Sequence, residues 1–515
     1  MKRKKPESFG GLCLGVLLPL LAAQAWAQSE GEGGAASSNR PRLLIEPRLS
    51  VTETLTDNLK LRTHDKDVAL ISTIAPGIRI SATGGRVRGS LDYALNGLLY
   101  SKSNEPSRVQ NQLSARGSAD LIDNWFVLDA RASISQQPRS AFGTGSIDPT
   151  LPNSNVSELY TLGLSPALRG QLRGVASYEL RADINESRAK DATNGDLSSR
   201  GLSLQLGGLS AQSLFGWSAF LSNQRWRPGG GRYTESSMVT GTLLFRPDPE
   251  WNFGLTLGKE RNSFTTLSQE SGNTYGASAN WLPTPRTKAA ADWQHHDYGD
   301  SHTLSLEHRM ARSVWRVSDT QIANVAGPQG NAGAMTNYDL FFSLFASREP
   351  DLRKRDLLVR QFLGLLGLNP NAIAIGGFMN STASLMRRQE LSFALEGQRS
   401  TVTFLLSRTK SNKIDPTAGG NDDFAQTNRL DLRSFSVNIA YRLTPISSAS
   451  VLLTQQKNQG ELDSQRTDLK SLIANWNARL GPYNNLTVGV RHNRFNSPTQ
   501  PYRENAVLAT YTQQF

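Results

Sequence analysis

The sequence predicts an all-β fold, a transmembrane antiparallel β-barrel of about 22 strands, within roughly 20 to 24, carrying one helical insert in a long outer loop. Three observations carry that expectation. Segments of strand length alternate apolar and polar residues with a period of two, short and long connections alternate along the chain, and the last such segment runs to Phe515. In a barrel that crosses lipid, every second side chain must be apolar and the others face a wet interior, which produces this pattern.

The chain opens with an export pattern. Lys2, Arg3, Lys4 and Lys5 precede an apolar run from Leu12 to Leu21, and Ala25-Trp26-Ala27 offers small residues for cleavage, so residues 1–27 read as a signal peptide. The run is about half the roughly 20 residues that a spanning helix needs. Cleavage leaves 515 − 27 = 488 residues without cysteine, because Cys13 lies in the signal. No disulfide then staples the fold. Residues 28–41, rich in Gly and Ser, read as a linker, and 42–515 as the barrel.

The first clear hairpin spans Gly77 to Tyr100 around Thr83-Gly84-Gly85-Arg86. Beyond its turn Val87, Gly89, Leu91, Tyr93 and Leu95 share one face, against Arg88, Ser90, Asp92, Ala94 and Asn96 on the other. Phe126 to Ser135, Leu172 to Ile184 and Phe435 to Leu443 repeat the alternation with different residues. A soluble sandwich alternates too, so the connections decide.

Short turns are expected around Gly84-Gly85, Asp123-Asn124, Arg169-Gly170, Gly207-Gly208, Pro247-Asp248-Pro249, Pro283-Thr284-Pro285, Met310-Ala311, Gly397-Gln398, Pro445-Ile446 and Gly481-Pro482. Longer polar stretches lie between them, at 56–68, 101–107, 137–156, 187–199, 223–233, 262–271, 296–302, 322–379, 409–426, 457–465 and 494–502. Short periplasmic turns alternating with long outer loops are the signature of an outer-membrane barrel with both ends in the periplasm. Trp125, Trp251, Trp281 and Trp315 fall beside the proposed short turns, where an interfacial girdle belongs. In the last segment Tyr511 and Phe515 share the outward face and match an assembly signal for barrel-assembly machinery, although Gln513 interrupts that face.

One stretch has another period. From Tyr338 to Leu368, Leu340, Phe341, Leu344, Phe345, Leu357, Leu358, Phe362, Leu365 and Leu366 are spaced three and four apart, as in amphipathic helices. Within the insert 322–379 such helices fold into the barrel mouth as a partial plug or pack on themselves as a cap.

Composition excludes a helical membrane protein, since 38% of residues are hydrophobic and mean hydropathy is −0.41. The net charge of +12 reads as loop and lumen charge facing lipopolysaccharide or an anionic polymer, and export argues against nucleic acid. His295, His296, His302 and His308 crowd together with Asp297 and Asp300, which fits a solvated loop better than a metal site. Asp422-Asp423 lacks the spaced carboxylates of a calcium loop. No nucleophile motif is present, so the chain is expected not to be an enzyme, with no catalytic, cofactor or metal residues. The expected lumen-lining residues are Arg88, Asp92, Asp129, Arg131, Arg173, Glu179, Arg181, Asp183, Asp292, Arg316, Arg442 and Arg491. Charged rings of mixed sign set pore selectivity, or pair off and stiffen the wall.

Several phrases resemble the PEP-CTERM system-associated outer-membrane family, linked to exopolysaccharide and exosortase clusters in Gram-negative bacteria. They are Ile45-Glu46-Pro47 with Thr54-Leu55-Thr56-Asp57-Asn58, Pro76-Gly77, Trp281-Leu282-Pro283-Thr284-Pro285-Arg286-Thr287, Tyr298-Gly299, Glu307-His308-Arg309 with Ser313-Val314-Trp315, and Tyr502-Arg503-Glu504-Asn505. The resemblance implies an outer-membrane β-barrel tied to extracellular polysaccharide or surface-protein biogenesis, and it carries over no catalytic residues. The expectation is a monomeric outer-membrane conduit or assembly factor for extracellular polysaccharide, in contact with lipid and lipopolysaccharide. The alternatives are a filled, non-conducting surface scaffold or adhesin and, behind it, an outer-membrane hydrolase.

Overall fold

The computed structural model describes residues 42–515 except 102, 173, 193, 209–212, 230, 325–334, 337, 339–340, 343–354, 357–358, 360–362, 364–372, 376 and 416–421. The wall begins with β1 (Arg42–Thr56), β2 (Ala69–Thr83), β3 (Val87–Ser101), β4 (Arg108–Ile122) and β5 (Phe126–Pro138). It continues through β6 (Val156–Leu172), β7 (Ala176–Ala189), β8 (Leu197–Gly208), β9 (Phe215–Pro228), β10 (Thr234–Phe245), β11 (Trp251–Asn262) and β12 (Glu270–Thr284). β13 (Thr287–His295), β14 (Ser301–Arg309) and β15 (Ser313–Asn324) follow. A separate two-stranded ribbon pairs β16 (Met335–Thr336) with β17 (Ile373–Ile375). The wall resumes with β18 (Ser384–Glu396), β19 (Ser400–Lys413), β20 (Arg429–Thr444), β21 (Ser447–Gln459), β22 (Arg466–Arg479), β23 (Asn484–Asn496) and β24 (Tyr502–Gln514).

Twenty-two strands form one antiparallel sheet, and β24 pairs back on β1 from Arg48↔Gln514 to Thr56↔Ala506. That closure leaves the wall without a free edge, so every strand finds backbone partners on both sides, as a membrane interior demands. The seam also carries side-chain pairs, Ser50 with Thr512 and Thr52 with Thr510, both at 2.9 Å. Each such cross-strand pair contributes roughly 0.2–1 kcal/mol.

Register turns the alternating sequence into two faces. Outward positions such as Leu55, Leu257, Val490 and Val507 are exposed and apolar. Near the short-turn rim, Phe215, Phe245, Phe253, Trp251 and Trp281 stack in sequence at centroid distances from 5.3 to 6.4 Å. This belt extends the girdle expected from Trp251 and Trp281, because β9 to β12 bring their aromatic ends side by side. An edgeless wall with an apolar exterior and an interfacial aromatic belt is an outer-membrane β-barrel. Both ends of the wall and the short turns share one side, the periplasmic one.

Two expected turns lie elsewhere. The β6–β7 pairing runs on to Leu172↔Ala176, past Arg169-Gly170, and Gly174 beyond it has φ +74°. Arg169 is held inside the strand by Asp120 at 3.3 Å, whereas glycine at 174 takes the left-handed conformation without strain. β8 likewise continues through Gly208, and β9 begins at Phe215. Asn124, in the β4–β5 turn, supplies positive φ, 55°, as Asn does most readily after Gly. Most outer loops are shorter than the polar stretches predict, because the ladders continue above the apolar band. The expected helical insert lies largely outside the described residues. The only helix with continuous described residues is a 3-10 turn, Asp423–Ala425.

Candidate functional site: a two-sided lumen with a fastened mouth

Cross-strand register places Arg88, Asp92, Asp129, Arg131, Glu179, Arg181 and Asp183 on the inward face of β3, β5 and β7. Most of them pair. Asp92 accepts from Arg48 at 2.5 and 3.0 Å and from Arg79 at 3.0 and 3.2 Å. Asp120 accepts from Arg88 at 3.2 Å and Arg169 at 3.3 Å. Arg181 reaches Asp129 at 3.1 Å and Asp183 at 3.3 Å, while Arg131 donates to Asn185 at 2.7 Å. Sequence reading missed Arg48, Arg79, Asp120 and Arg169, which strand parity alone would have placed inward.

Asp292, Arg316 and Arg442 also face inward, but on β13, β15 and β20, away from that group. Arg316 stands opposite Glu307 in the β14–β15 register. Arg173 lies outside the described residues.

The wall from β18 to β23 differs in chemistry. Its inward positions include Ser392, Thr403, Ser436, Asn438, Thr454, Ser471 and Asn475, joined in register across neighbouring strands. Several polar atoms there are buried without a hydrogen-bond partner, namely the hydroxyls of Ser392, Ser411 and Ser471 and both amide atoms of Asn438. A buried unpartnered polar group costs about 1–3 kcal/mol, so this arc holds hydrogen-bonding capacity that the wall itself does not use.

Arg491, on β23, fastens the outer mouth. It donates to Glu504 at 2.7 and 3.2 Å and to Asp148 at 2.5 Å, and all three are buried. Asn493 and Thr56 complete the shell of Glu504 at 2.7 and 3.0 Å. Asp148 belongs to the outer loop 139–155, which leaves the wall at β5 and returns at β6. Burial alone would raise the Asp148 carboxyl, but the Arg491 charge and the hydrogen bonds from Thr150 hold it below the ordinary carboxylate range. The same loop is held by Tyr502, whose hydroxyl donates to the Gly145 carbonyl at 2.5 Å, and by Tyr100, which donates to Thr150 at 2.7 Å. Leu151 packs with Leu59, Leu61, Ile71, Leu469 and Phe495. Loop 139–155 therefore crosses from β5 and β6 to β22, β23 and β24.

A second fastening lies beside it. Asp423 accepts from the Ser140 hydroxyl at 2.5 Å and the Ala141 amide at 2.7 Å, and Asn458 donates to the Ala141 carbonyl at 2.7 Å. Burial pushes the Asp423 carboxyl up to about 6, against the opposing pull of those two donors, and neighbouring Asp422 adds to the rise. Asp422 in turn gathers the amides of Ser381 and Thr382, both at 2.9 Å. Of the long insert, Tyr338, Phe341, Val359 and Leu363 are buried, and the Tyr338 ring lies 5.0 Å from the guanidinium carbon of Arg116, an inward residue of β4.

The histidines do not converge. His295 meets Asp300 at 2.6 Å, His296 meets Glu260 at 2.6 Å, His302 meets Asp319 at 3.3 Å, and His308 meets Thr287 at 2.9 Å. Among the described residues no three His, Cys, Asp or Glu side chains gather as metal ligands would. At the far end of the chain, Tyr511 pairs outward opposite Val51, and the Phe515 amide donates to the Pro47 carbonyl at 2.9 Å.

No family model matches the chain, and no curated protein does. Among solved structures the chain is similar to the FrpB iron transporter from Neisseria meningitidis, at 10% identity over 91% of this chain and 81% of that one, with a TM-score of 0.47. It is similar to the siderophore receptor PirA from Acinetobacter baumannii, at 10% identity over 91% and 80%, with a TM-score of 0.46. It is also similar to OccK2 from Pseudomonas aeruginosa, solved with glucuronate, at 10% identity over 92% and 98%, with a TM-score of 0.35.

Proposed function

We propose that this barrel is a conduit or assembly factor for extracellular polysaccharide in the outer membrane of a Gram-negative bacterium, and that it performs no catalysis. The observation that carries the reading is the division of the inward face. An inward arc of neutral hydroxyls and amides, around Asn438 and Ser471, suits the hydroxyl groups of a sugar chain. Of the facing arc, Arg131, which donates to Asn185 and pairs with no carboxylate among the described residues, suits its carboxylates. The resemblance to the PEP-CTERM system-associated family points the same way. The insert 322–379 is proposed to narrow the mouth from inside, which the contact of Tyr338 with Arg116 supports.

Deletion of the gene tests the role. Extracellular polysaccharide is expected to fall and to return on complementation, and an unchanged yield would overturn the proposal. The buried mouth loop and buried inward side chains also favour a second reading, a filled surface scaffold that conducts nothing. Ion conductance separates the two.

A further inference from the structure

The net positive charge of the chain does not reside only in loops and lumen. On β11 the outward face changes at its outer end from apolar residues to cations, Leu255 and Leu257 followed by Lys259 and Arg261, and on β9 Arg225 and Arg227 end the outward face. Outward cations recur on other strands, and several have carboxylate partners. Arg225 pairs with Glu235, and Arg408 and Arg433 share Asp431 at 2.6 and 3.1 Å.

One row differs. Lys470 on β22 stands directly opposite Arg494 on β23, and Arg494 directly opposite Arg503 on β24. All three are exposed on the outward face, and no carboxylate pairs with any of them among the described residues. The nearby acids are engaged elsewhere. Asp468 is held by Gln455 at 2.9 Å, Asp57 by Asn505 at 2.7 Å, and Glu504 points inward to Arg491. Like charges directly opposite across strands destabilise a sheet. At a strand spacing of about 4.8 Å, three cations span roughly 10 Å, a length that matches two phosphates on one headgroup. Two steps down the same strands, Ala474, Val490 and Val507 form an apolar outward row.

We propose that Lys470, Arg494 and Arg503 form a site for a phosphorylated lipid headgroup of the outer leaflet, its acyl chains lying on the apolar rows beneath. Leu472, His492 and Asn505 lie between the cations and that row, and an anionic polymer would meet the cations but has no use for the apolar row beyond. A lipid uses both. The site rests on the placement of the apolar band in the bilayer.

The test titrates the full-length barrel, purified in mild detergent, with diphosphoryl lipid A, dephosphorylated lipid A, inorganic pyrophosphate and alginate, reading bound adducts by native mass spectrometry. Diphosphoryl lipid A is expected to bind at least tenfold more tightly than the other three. The variant carrying Lys470→Gln, Arg494→Gln and Arg503→Gln is expected to lose that tenfold, whereas Arg225→Gln, an outward cation with its own carboxylate, retains it. Heat-modifiable gel mobility checks that each variant is folded, and should the triple variant not fold, Arg494→Gln alone is expected to lose about threefold. Undiminished lipid A binding by a folded variant overturns the site, as does pyrophosphate or alginate binding as tightly as lipid A. A chain that stays soluble without detergent overturns the bilayer placement itself, a failure distinct from loss of the site.

Discussion

The two walls of the lumen use polar residues in opposite ways. From β1 to β7 most inward charges are paired, Arg48 and Arg79 on Asp92 and Arg181 on Asp129 and Asp183. From β18 to β23 many inward side chains are hydroxyls and amides, and part of their hydrogen-bonding capacity is spent on nothing. The difference teaches that a polar lumen is not one chemical surface. A paired wall stiffens the barrel and sets a field, while a neutral wall leaves hydrogen-bonding groups uncommitted.

The sharpest way to break this contrast is at Arg491, the buried charge on which the mouth loop hangs. Arg491→Ala strands buried Glu504 and Asp148 together, and removing one partner of a buried ion pair costs about 3–5 kcal/mol. Its thermal midpoint in detergent should drop well below that of the parent, and protease should cut loop 139–155 first. A midpoint within a degree of the parent would show that Arg491 does not fasten the loop.

Asp92→Asn probes the paired wall. It leaves Arg48 and Arg79 side by side without their shared carboxylate, at a cost of about 1–3 kcal/mol. Reversal-potential measurements on the variant should shift toward anion selectivity, and an unchanged potential would mean that ions do not pass this wall.

Acidity acts on the second fastening. The Asp423 carboxyl is raised to about 6 when the loops are docked, against about 3.9 when free. Docking therefore takes up a proton, and the stability this contributes is full below the free value and lost as pH rises through about 6. Proteolysis at Ser140 and Ala141 should be slower at pH 5 than at pH 7.5, and Asp423→Asn should flatten the difference. An unaltered pH profile in that variant would assign the effect to another group.

Asn438→Leu should change least in stability. Both amide atoms lack partners, so the substitution should leave the thermal midpoint unchanged or raise it, by about 1 kcal/mol at most. It should still weaken block of the lumen by added polysaccharide. A strong destabilisation would show that the neutral arc is structural after all.

The wall was legible in the sequence because alternation and loop length are local. Val87 to Asn96 reveal their faces without knowledge of any other strand, and the turns at Gly84 and Pro445 announce themselves. The ion pairs were not legible, since joining Arg48 to Asp92 needs the register of three strands. The mouth was hidden more deeply, because Asp148 and Arg491 are 343 positions apart in the chain. The turn expected at Arg169-Gly170 went astray for a related reason. A glycine is a strong local signal, but the partner that keeps Arg169 in the strand, Asp120, lies on another hairpin.

Single-channel recording in planar bilayers tests the account most directly, comparing the parent with a barrel lacking residues 330–376 and 142–152. The parent should show small or rare openings, and the deleted form large, stable current steps of one size. A correctly folded, inserted barrel that passes no current with both segments removed would contradict the claim that a wet passage runs between the two walls.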